Sequence, residues 1–249
     1  MEQLQETVFL FQGLAAADFA AALGGSALVL EKLYSSRPVY TAFRPGVSLE
    51  FLYAIVSGGP VISRSTPLDR VIAMTYPGSC FGMQNLAFSY GVISRGFPSM
   101  VEAYKTTDII KIPLGAIEVL YKNHESVRQR YGLLFELREK FQYHLLNCST
   151  YPPQAVAALL RALVYQERSL GNQPQVNGTF TFDLPIDLIA RACQLNHRTV
   201  EQVLKGMLKV GLLEKVKSSD CDRVVVANAE GLKGVYGATR DKVDWWPLR

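Results

Sequence analysis

The spacing of apolar residues changes several times along the chain, and each change marks a part. Residues 1–30 read as helical; "LAAADFAAALGG" is interrupted by Asp18 and ends in Gly24-Gly25, a helix with a glycine C-cap. From Pro38 to Pro113 the texture turns to short β-rich runs, "PVYTAFRPG", "EFLYAIVSGG", "PVISRS", "DRVIAMTYPG" and "MVEAYKTTDIIKIP", punctuated by glycine and proline. Such spacing predicts an antiparallel sandwich or barrel rather than alternating βαβ units. Residues 114–148 return to a helical period. Val127, Tyr131, Leu134, Leu137, Phe141, Leu145 and Cys148 follow at intervals of three or four, with Arg128, Arg130, Arg138, Glu139 and Lys140 off that seam. Two readings fit it: an amphipathic helix packed on its own domain, or a helix that pairs with its copy in a dimer.

"STYPP" then breaks the pattern, and its prolines put a hinge or boundary at Ser149–Pro153. "QAVAALLRALVYQERSL" predicts a helix ending at Gly171, "NQPQVNG" a loop and "TFTFDLP" a short strand. Ile186–Cys193 reads as a short helix, Leu195 as a tight turn and Asn196 as an N-cap, its side-chain oxygen placed to accept an orphan backbone N–H. The helix that follows runs to about Lys209. Val200, Val203, Leu204, Met207 and Leu208 lie on one side; His197, Arg198, Glu201, Gln202 and Lys205 lie on the other. "VGLLEKVKSSDCDRVVVAN" adds a glycine stop and two short strands, completing a helix–turn–helix–wing. An exposed polar helix of this kind fits the DNA major groove, where arginine reads guanine and glutamine reads adenine. Arg191, Lys209, Lys215 and Lys217 are placed for phosphates. The alternative is a solvated face on a packing module.

Composition narrows the classes. The chain has 249 residues, about right for two domains, and 49% are hydrophobic, enough for real cores. A formal charge of +4 permits a polyanionic partner without demanding one. Cys80, Cys148, Cys193 and Cys221 form no CxxC pair and read as reduced thiols; His124, His144 and His197 form no HxxxH or HExxH pattern, so no metal site is expected. No secretory leader and no run of ~18 apolar residues is seen, and a cytoplasmic protein without a membrane partner is expected. The residues before 124 contain no histidine and no Ser–His–Asp or paired-carboxylate arrangement stands out, so the chain is not read as an enzyme.

Three segments taken in order resemble a known family. "PGVSLEFLYAIVSGGPV" is similar to its G-x-x-x-x-x-(aromatic)-x-(I/V)-x-x-G signature, and "YPGSCFG" to its G-(D/S)-x-(F/I)-G segment. "LIARACQLNHRTVEQVLKGMLKVGLLEK" is similar to its I-A-x-x-x-G-x-S-R-x-T-V-x-R-x-L-x-x-L-x-x-x-G-L-I element. The family is the Crp/Fnr group of bacterial transcription regulators, typified by the cyclic-AMP receptor protein and the fumarate–nitrate regulator. The resemblance implies an α+β chain with an N-terminal β-roll of the cyclic-nucleotide-binding jelly-roll type (1–124), a long dimerisation helix (125–148) and a C-terminal winged helix-turn-helix with a tail (149–249). It implies a homodimer, double-stranded DNA and RNA polymerase as partners, and favours the dimer reading for Val127, Tyr131, Leu134, Leu137, Phe141 and Leu145. It places His197, Arg198 and Gln202 at base-reading positions and Thr199 at phosphate or the helix start, beside Glu201, Lys205 and Arg191. Asn196-His197 replaces the usual Ser-Arg, so the half-site differs from the common one. Gln194 replaces the turn glycine, at a cost of about 1–2 kcal/mol if its backbone is left-handed.

In the family's nucleotide binders, a loop after the Phe-Gly supplies a glutamate for the ribose and an Arg-Ser pair for the phosphate. This chain reads "FGMQNLAFSYGVISRGFPSM" there. Met83 replaces the glutamate, Phe97 falls on the arginine position with Pro98-Ser99 after it, and Arg95 is two residues early. An unpaired buried phosphate is costly, so cyclic AMP is not expected to bind tightly. Gly82, Met83, Gln84, Arg95, Phe97 and Ser99 are the candidate effector residues, and the effector is unknown. Met83, Leu86, Phe88, Phe97 and Met100 either line an apolar site or close it, and a protein partner or redox input stays open. Haem is not expected, nor an iron–sulfur cluster, because the N-terminal cysteine cluster is missing. Trp245 and Trp246 are too large to leave bare; packing against the sensor or the dimer partner is expected of them.

Overall fold

The computed structural model describes residues 2–35, 37–40, 50–65, 70–83, 100–146, 151–215, 222–237 and 245–246, without the side chains of 2, 3, 40, 144–146, 236 and 237. It divides into two compact units, Met1–Glu139 and Lys140–Arg249. Among the described residues no helix is long and apolar enough to cross a membrane.

The first unit opens with α1 (Glu2–Thr7), a 3-10 turn at Phe9–Phe11 and α2 (Ala16–Leu23). Gly24 ends α2 in the left-handed conformation, as its sequence position implies. Eight strands follow: β1 (Val29–Leu33), β2 (Pro38–Tyr40), β3 (Phe51–Ser57), β4 (Val61–Ser65), β5 (Arg70–Thr75), β6 (Cys80–Phe81), β7 (Met100–Ala103) and β8 (Thr107–Pro113). They make two antiparallel four-stranded sheets, ordered β1-β8-β3-β6 and β2-β7-β4-β5. The predicted sandwich is therefore present. One local expectation gives way. Val29 and Leu30 end the stretch read as helical but belong to β1, which pairs with β8, Val29 opposite Lys111 and Leu33 opposite Thr107. The β-rich run "MVEAYKTTDIIKIP" forms two strands, turned at Tyr104–Thr106.

β3 is well buried. Leu52 to Ile55 are all buried, because β3 sits between β8 and β6 with both faces covered. Tyr53, Ile55, Val61, Phe81, Val101, Ala103, Ile109 and Leu33 form one apolar cluster. The turn after β3 has steric reasons for glycine: a Cβ on Gly58 (φ +83°) would stand 2.3 Å from the Thr106 carbonyl oxygen. The buried Thr107 hydroxyl accepts from the Gly59 N–H at 2.9 Å and donates to the Lys105 carbonyl at 2.7 Å, satisfying polar groups that burial would otherwise orphan.

The helical stretch 114–148 holds two helices, α3 (Leu114–Asn123) and α4 (Glu125–Leu146), parted at His124, which is extended (φ −123°, ψ 111°); α4 begins where the long helix was expected, at residue 125. α4 runs through the border between the units. Its seam is buried. Val127, Tyr131, Leu134, Leu137 and Phe141 are 0–5% exposed in the single chain. Tyr131 meets Tyr121 edge-on, centroids 5.6 Å apart, and the Arg130 guanidinium donates to the Gln12 carbonyl and lies over the Phe9 ring. Burial of these five side chains in the single chain is compatible with either reading of the seam. The Leu145 side chain lies outside the described set. The face of α4 left exposed carries Gln129, Gly132 and Glu136.

The second unit holds α5 (Pro152–Ser169), β9 (Phe180–Asp183), α6 (Ile186–Cys193), α7 (His197–Lys209), β10 (Leu213–Glu214), β11 (Arg223–Val226) and α8 (Ala229–Gly237). The two prolines occupy the first turn of α5, where a missing N–H costs nothing. Val156, Leu159, Leu160 and Leu163 make α5 the buried centre of the unit. The wing is a three-stranded antiparallel sheet, β10-β11-β9. α8 was not foreseen. Asn228 starts it, its side-chain oxygen accepting from the Gly231 N–H at 2.7 Å, and Leu232 and Val235 are buried, with α8 packed on α5. Gly231, Gly234 and Gly237 dilute its helical signal.

Candidate nucleic-acid interface

The site is built on the α6–turn–α7 unit. α6 buries Leu188, Ile189, Ala192 and Cys193. Gln194 closes it with φ 54° and ψ 43°, the left-handed geometry expected if it stands in for a turn glycine. The Leu195 N–H reaches back to the Ala190 carbonyl at 2.9 Å, and the chain reverses within two residues. Asn196 then caps α7: its Oδ1 accepts from the Thr199 N–H at 2.8 Å. Helix bounds, turn and cap all stand where the sequence placed them.

Val200, Val203 and Met207 hold α7 to the unit, each fully buried. His197, Arg198, Glu201, Gln202 and Lys205 are exposed together on the opposite side, and Thr199 is half-buried on the flank. Among the described residues, His197, Arg198 and Gln202 make no hydrogen bond or ion pair. Lys205 and Glu201 face each other at 3.8 Å, an exposed pair one helical turn apart that is worth little and opens readily. Arg191 is exposed on α6 and engaged within the chain. Lys209 and Lys215 are exposed beyond this polar face, and Lys217 lies outside the described residues. The result is a helix of about 20 Å that presents a guanidinium, Arg198, and an amide, Gln202, to solvent.

The candidate effector residues are only partly placed. Gln84, Arg95, Phe97 and Ser99 lie outside the described residues. Gly82 has φ +79° and lies against the Tyr53 ring, where a Cβ would stand 2.9 Å from Cδ2. Met83 is buried, and its carbonyl accepts from the Arg138 guanidinium of α4 at 3.1 Å. Within the roll, Tyr53 stacks flat on Phe81, centroids 4.7 Å apart and planes 3° apart. Burial raises the Tyr53 phenol's pKa, against an opposing pull from Lys111. A pair that the sequence reading passed over, Arg64 and Glu102, bridges β4 and β7 at 3.3 Å with both side chains largely buried. Nothing in "PVISRS" marks Arg64 as inward, since its partner lies 38 residues away. Cys80 is free and fully buried; desolvation pushes its thiol up to about 12, which keeps it from acting as a thiolate. Cys193 is free and buried too, and Cys148 and Cys221 lie outside the described residues. Among the described residues no three His, Cys, Asp or Glu side chains gather as metal ligands.

The tail tryptophans were expected against the sensor or a dimer partner. The Trp245 ring instead lies on Gly206 of α7, within its own unit, and Trp246 is 3% exposed.

No protein-family model and no curated protein matches the chain. Solved structures do. FixK2 from Bradyrhizobium japonicum is 17% identical with a TM-score of 0.62, the match covering 86% of this chain and 99% of that one. TTHB099, a transcriptional regulator of the CRP family from Thermus thermophilus, is 16% identical with a TM-score of 0.53 over 84% and 97%. CLP, a c-di-GMP responsive global regulator of Xanthomonas campestris, is 16% identical with a TM-score of 0.52 over 85% and 99%. The chain has the Crp/Fnr-like fold that its motifs resemble.

Proposed function

We propose that the chain is a sequence-specific DNA-binding transcriptional regulator of the cytoplasm, acting as a homodimer on a palindromic site. One observation carries the reading: a capped, exposed helix after a tight turn holds Arg198, Gln202 and His197 without any partner among the described residues. Leaving such groups unspent on a well-packed helix suits a ligand that supplies acceptors, and base edges in a major groove do so. Two copies would set their α7 helices one DNA turn apart, ~34 Å. The exposed side of α4 with Gln129, Gly132 and Glu136 is the surface proposed for the second copy, and RNA polymerase is proposed as a further partner.

The sensor half is proposed not to bind cyclic AMP tightly. Met83 offers a thioether where a ribose hydroxyl would need a carboxylate, and its carbonyl is already engaged by Arg138. The fold tolerates other inputs, since CLP is described as c-di-GMP responsive. A second reading has its own support: the stacked Tyr53–Phe81 pair and the apolar cluster around it suit a roll that is structural, or that meets a protein partner, with DNA binding constitutive.

The test is selection of bound duplexes from a random pool by purified protein, with and without cyclic AMP. Enrichment of a two-fold symmetric site is expected, unchanged by cyclic AMP. Retention of all sequences alike would remove base reading, an asymmetric site would remove the dimer, and an effect of cyclic AMP would remove the sensor assignment. Enrichment without any added ligand favours the constitutive reading.

A further inference from the structure

Gly206 sits in the interior of α7, where glycine destabilises a helix relative to alanine. Its backbone gives no reason for glycine, because its φ is not among the positive ones. Space gives the reason. A Cβ there would stand 2.3 Å from Cε3 and 2.7 Å from Cζ3 of Trp245. The Trp245 indole therefore lies directly against the helix backbone, closer than any side chain at 206 would allow. It meets Trp246 edge-on, centroids 6.4 Å apart and planes 83° apart, and Trp246 is buried.

The position of that contact on the helix matters. At 100° per residue, Gly206 falls between the buried stripe of Val203 and Met207 and the exposed stripe of Gln202 and Lys209. Gln202 lies one turn before it and Lys209 one turn after it, so both are its surface neighbours. The packing of Val200, Val203 and Met207 fixes α7 from beneath. The indole fixes it from the shoulder, the direction in which a helix held only from beneath can roll.

We propose that Trp245 and Trp246 form a brace that positions α7, making the C-terminal pair part of the DNA-reading unit. Trp245 and Gly206 are positioning residues in this scheme; neither reads a base. The consequence for DNA rests on the function proposed above, whereas the brace itself does not.

The test uses the full chain as Trp245→Ala, Trp245→Phe, Gly206→Ala and the Gly206→Ala/Trp245→Ala double variant. It reads amide hydrogen exchange across 197–209, tryptophan emission and affinity for the selected duplex. Emission is informative because the chain has two tryptophans, both in this pair. Trp245→Ala is expected to speed exchange in α7 more than in α5 and to weaken duplex binding by about tenfold, ~1.4 kcal/mol. Trp245→Phe should restore most of both. Gly206→Ala should shift emission to the red and speed exchange in the parent chain, yet slow exchange in the Trp245→Ala background, where alanine is simply the better helix former. That reversal of sign is specific to the contact, and it does not need Trp245→Ala to fold perfectly. Unchanged α7 exchange in Trp245→Ala, or the same effect of Gly206→Ala in both backgrounds, would overturn the brace. Faster α7 exchange with undiminished duplex affinity would overturn its part in DNA reading. A parent chain that selects no duplex while α7 still loosens would leave the brace standing and remove the DNA function instead.

Discussion

α4 and α7 are both amphipathic helices studded with cations, yet they spend them differently. On α4, Arg130 donates to the Gln12 carbonyl, Arg138 to the Met83 carbonyl at 3.1 Å, and Arg128 pairs with Glu125. On α7, Arg198 and Gln202 reach nothing among the described residues, and Lys205 has only the loose contact with Glu201. A helical period reveals which face is apolar. It does not reveal whether the polar face is consumed by the chain's own carbonyls or kept for something else. That depends on what lies within reach of each guanidinium in the folded unit, such as the backbone carbonyls of Gln12 and Met83 near α4.

The hardest test of this contrast is at the seam. Leu134→Ala removes a 5%-exposed side chain and should cost about 2–5 kcal/mol of folding stability in urea or thermal unfolding, with the oligomeric state at high concentration unchanged. Preserved stability with a dimer that falls apart would place Leu134 at the interface and erase the distinction between the helices. Substitution at exposed Gln129, whose amide donates to the neighbouring exposed Glu125 at 3.0 Å, should act chiefly on association.

Arg198→Ala comes next and tests the other side of the comparison. Because Arg198 is exposed and has no partner among the described residues, its loss should leave the unfolding midpoint where it was. Duplex binding should weaken by about 1–3 kcal/mol, with sequence choice relaxed at one base pair. A uniform loss across all duplexes would make Arg198 a phosphate contact; a lower midpoint would mean that its side chain serves the fold after all. Smaller again is Asn196→Ala. It deletes the acceptor for the Thr199 N–H and should lower stability by about 1 kcal/mol, seen as faster amide exchange in the first turn of α7. Fraying there would disturb His197 and Arg198 together.

How much of this was readable beforehand differs between the same two helices. The bounds of α6 and α7, the left-handed Gln194 and the Asn196 cap all depend on neighbours within a few residues, and local chemistry was enough. The direction of the α4 seam was not readable, because three-and-four spacing fits a partner copy and the chain's own body equally well. β1 was missed since "ALVLEKL" is a short apolar run that suits a helix or a strand, and its pairing partner Lys111 lies 82 positions from Val29. The seat of Trp245 was hidden for the same reason: Gly206 looks like a blemish in α7 until the ring 39 residues later is laid on it.

The smallest effect lies at the turn, where sequence and structure agree that something is slightly wrong. Among the described residues Gln194 is the one non-glycine with positive φ. A left-handed L-residue costs about 1–2 kcal/mol, and glycine would relieve it. Glycine also gives the unfolded chain more freedom, which takes back about 0.5–1 kcal/mol. Gln194→Gly should therefore raise stability by about 0.5–1 kcal/mol in urea unfolding, through the C-terminal unit, with slower exchange at Leu195 and no change in α4. Since Gln194 is exposed, there is little packing to lose. A net loss would mean that the glutamine side chain makes up for its strain through contacts with the turn. The turn would then join α4 as a place where polar groups work for the fold, leaving α7 alone as the surface held open for a partner.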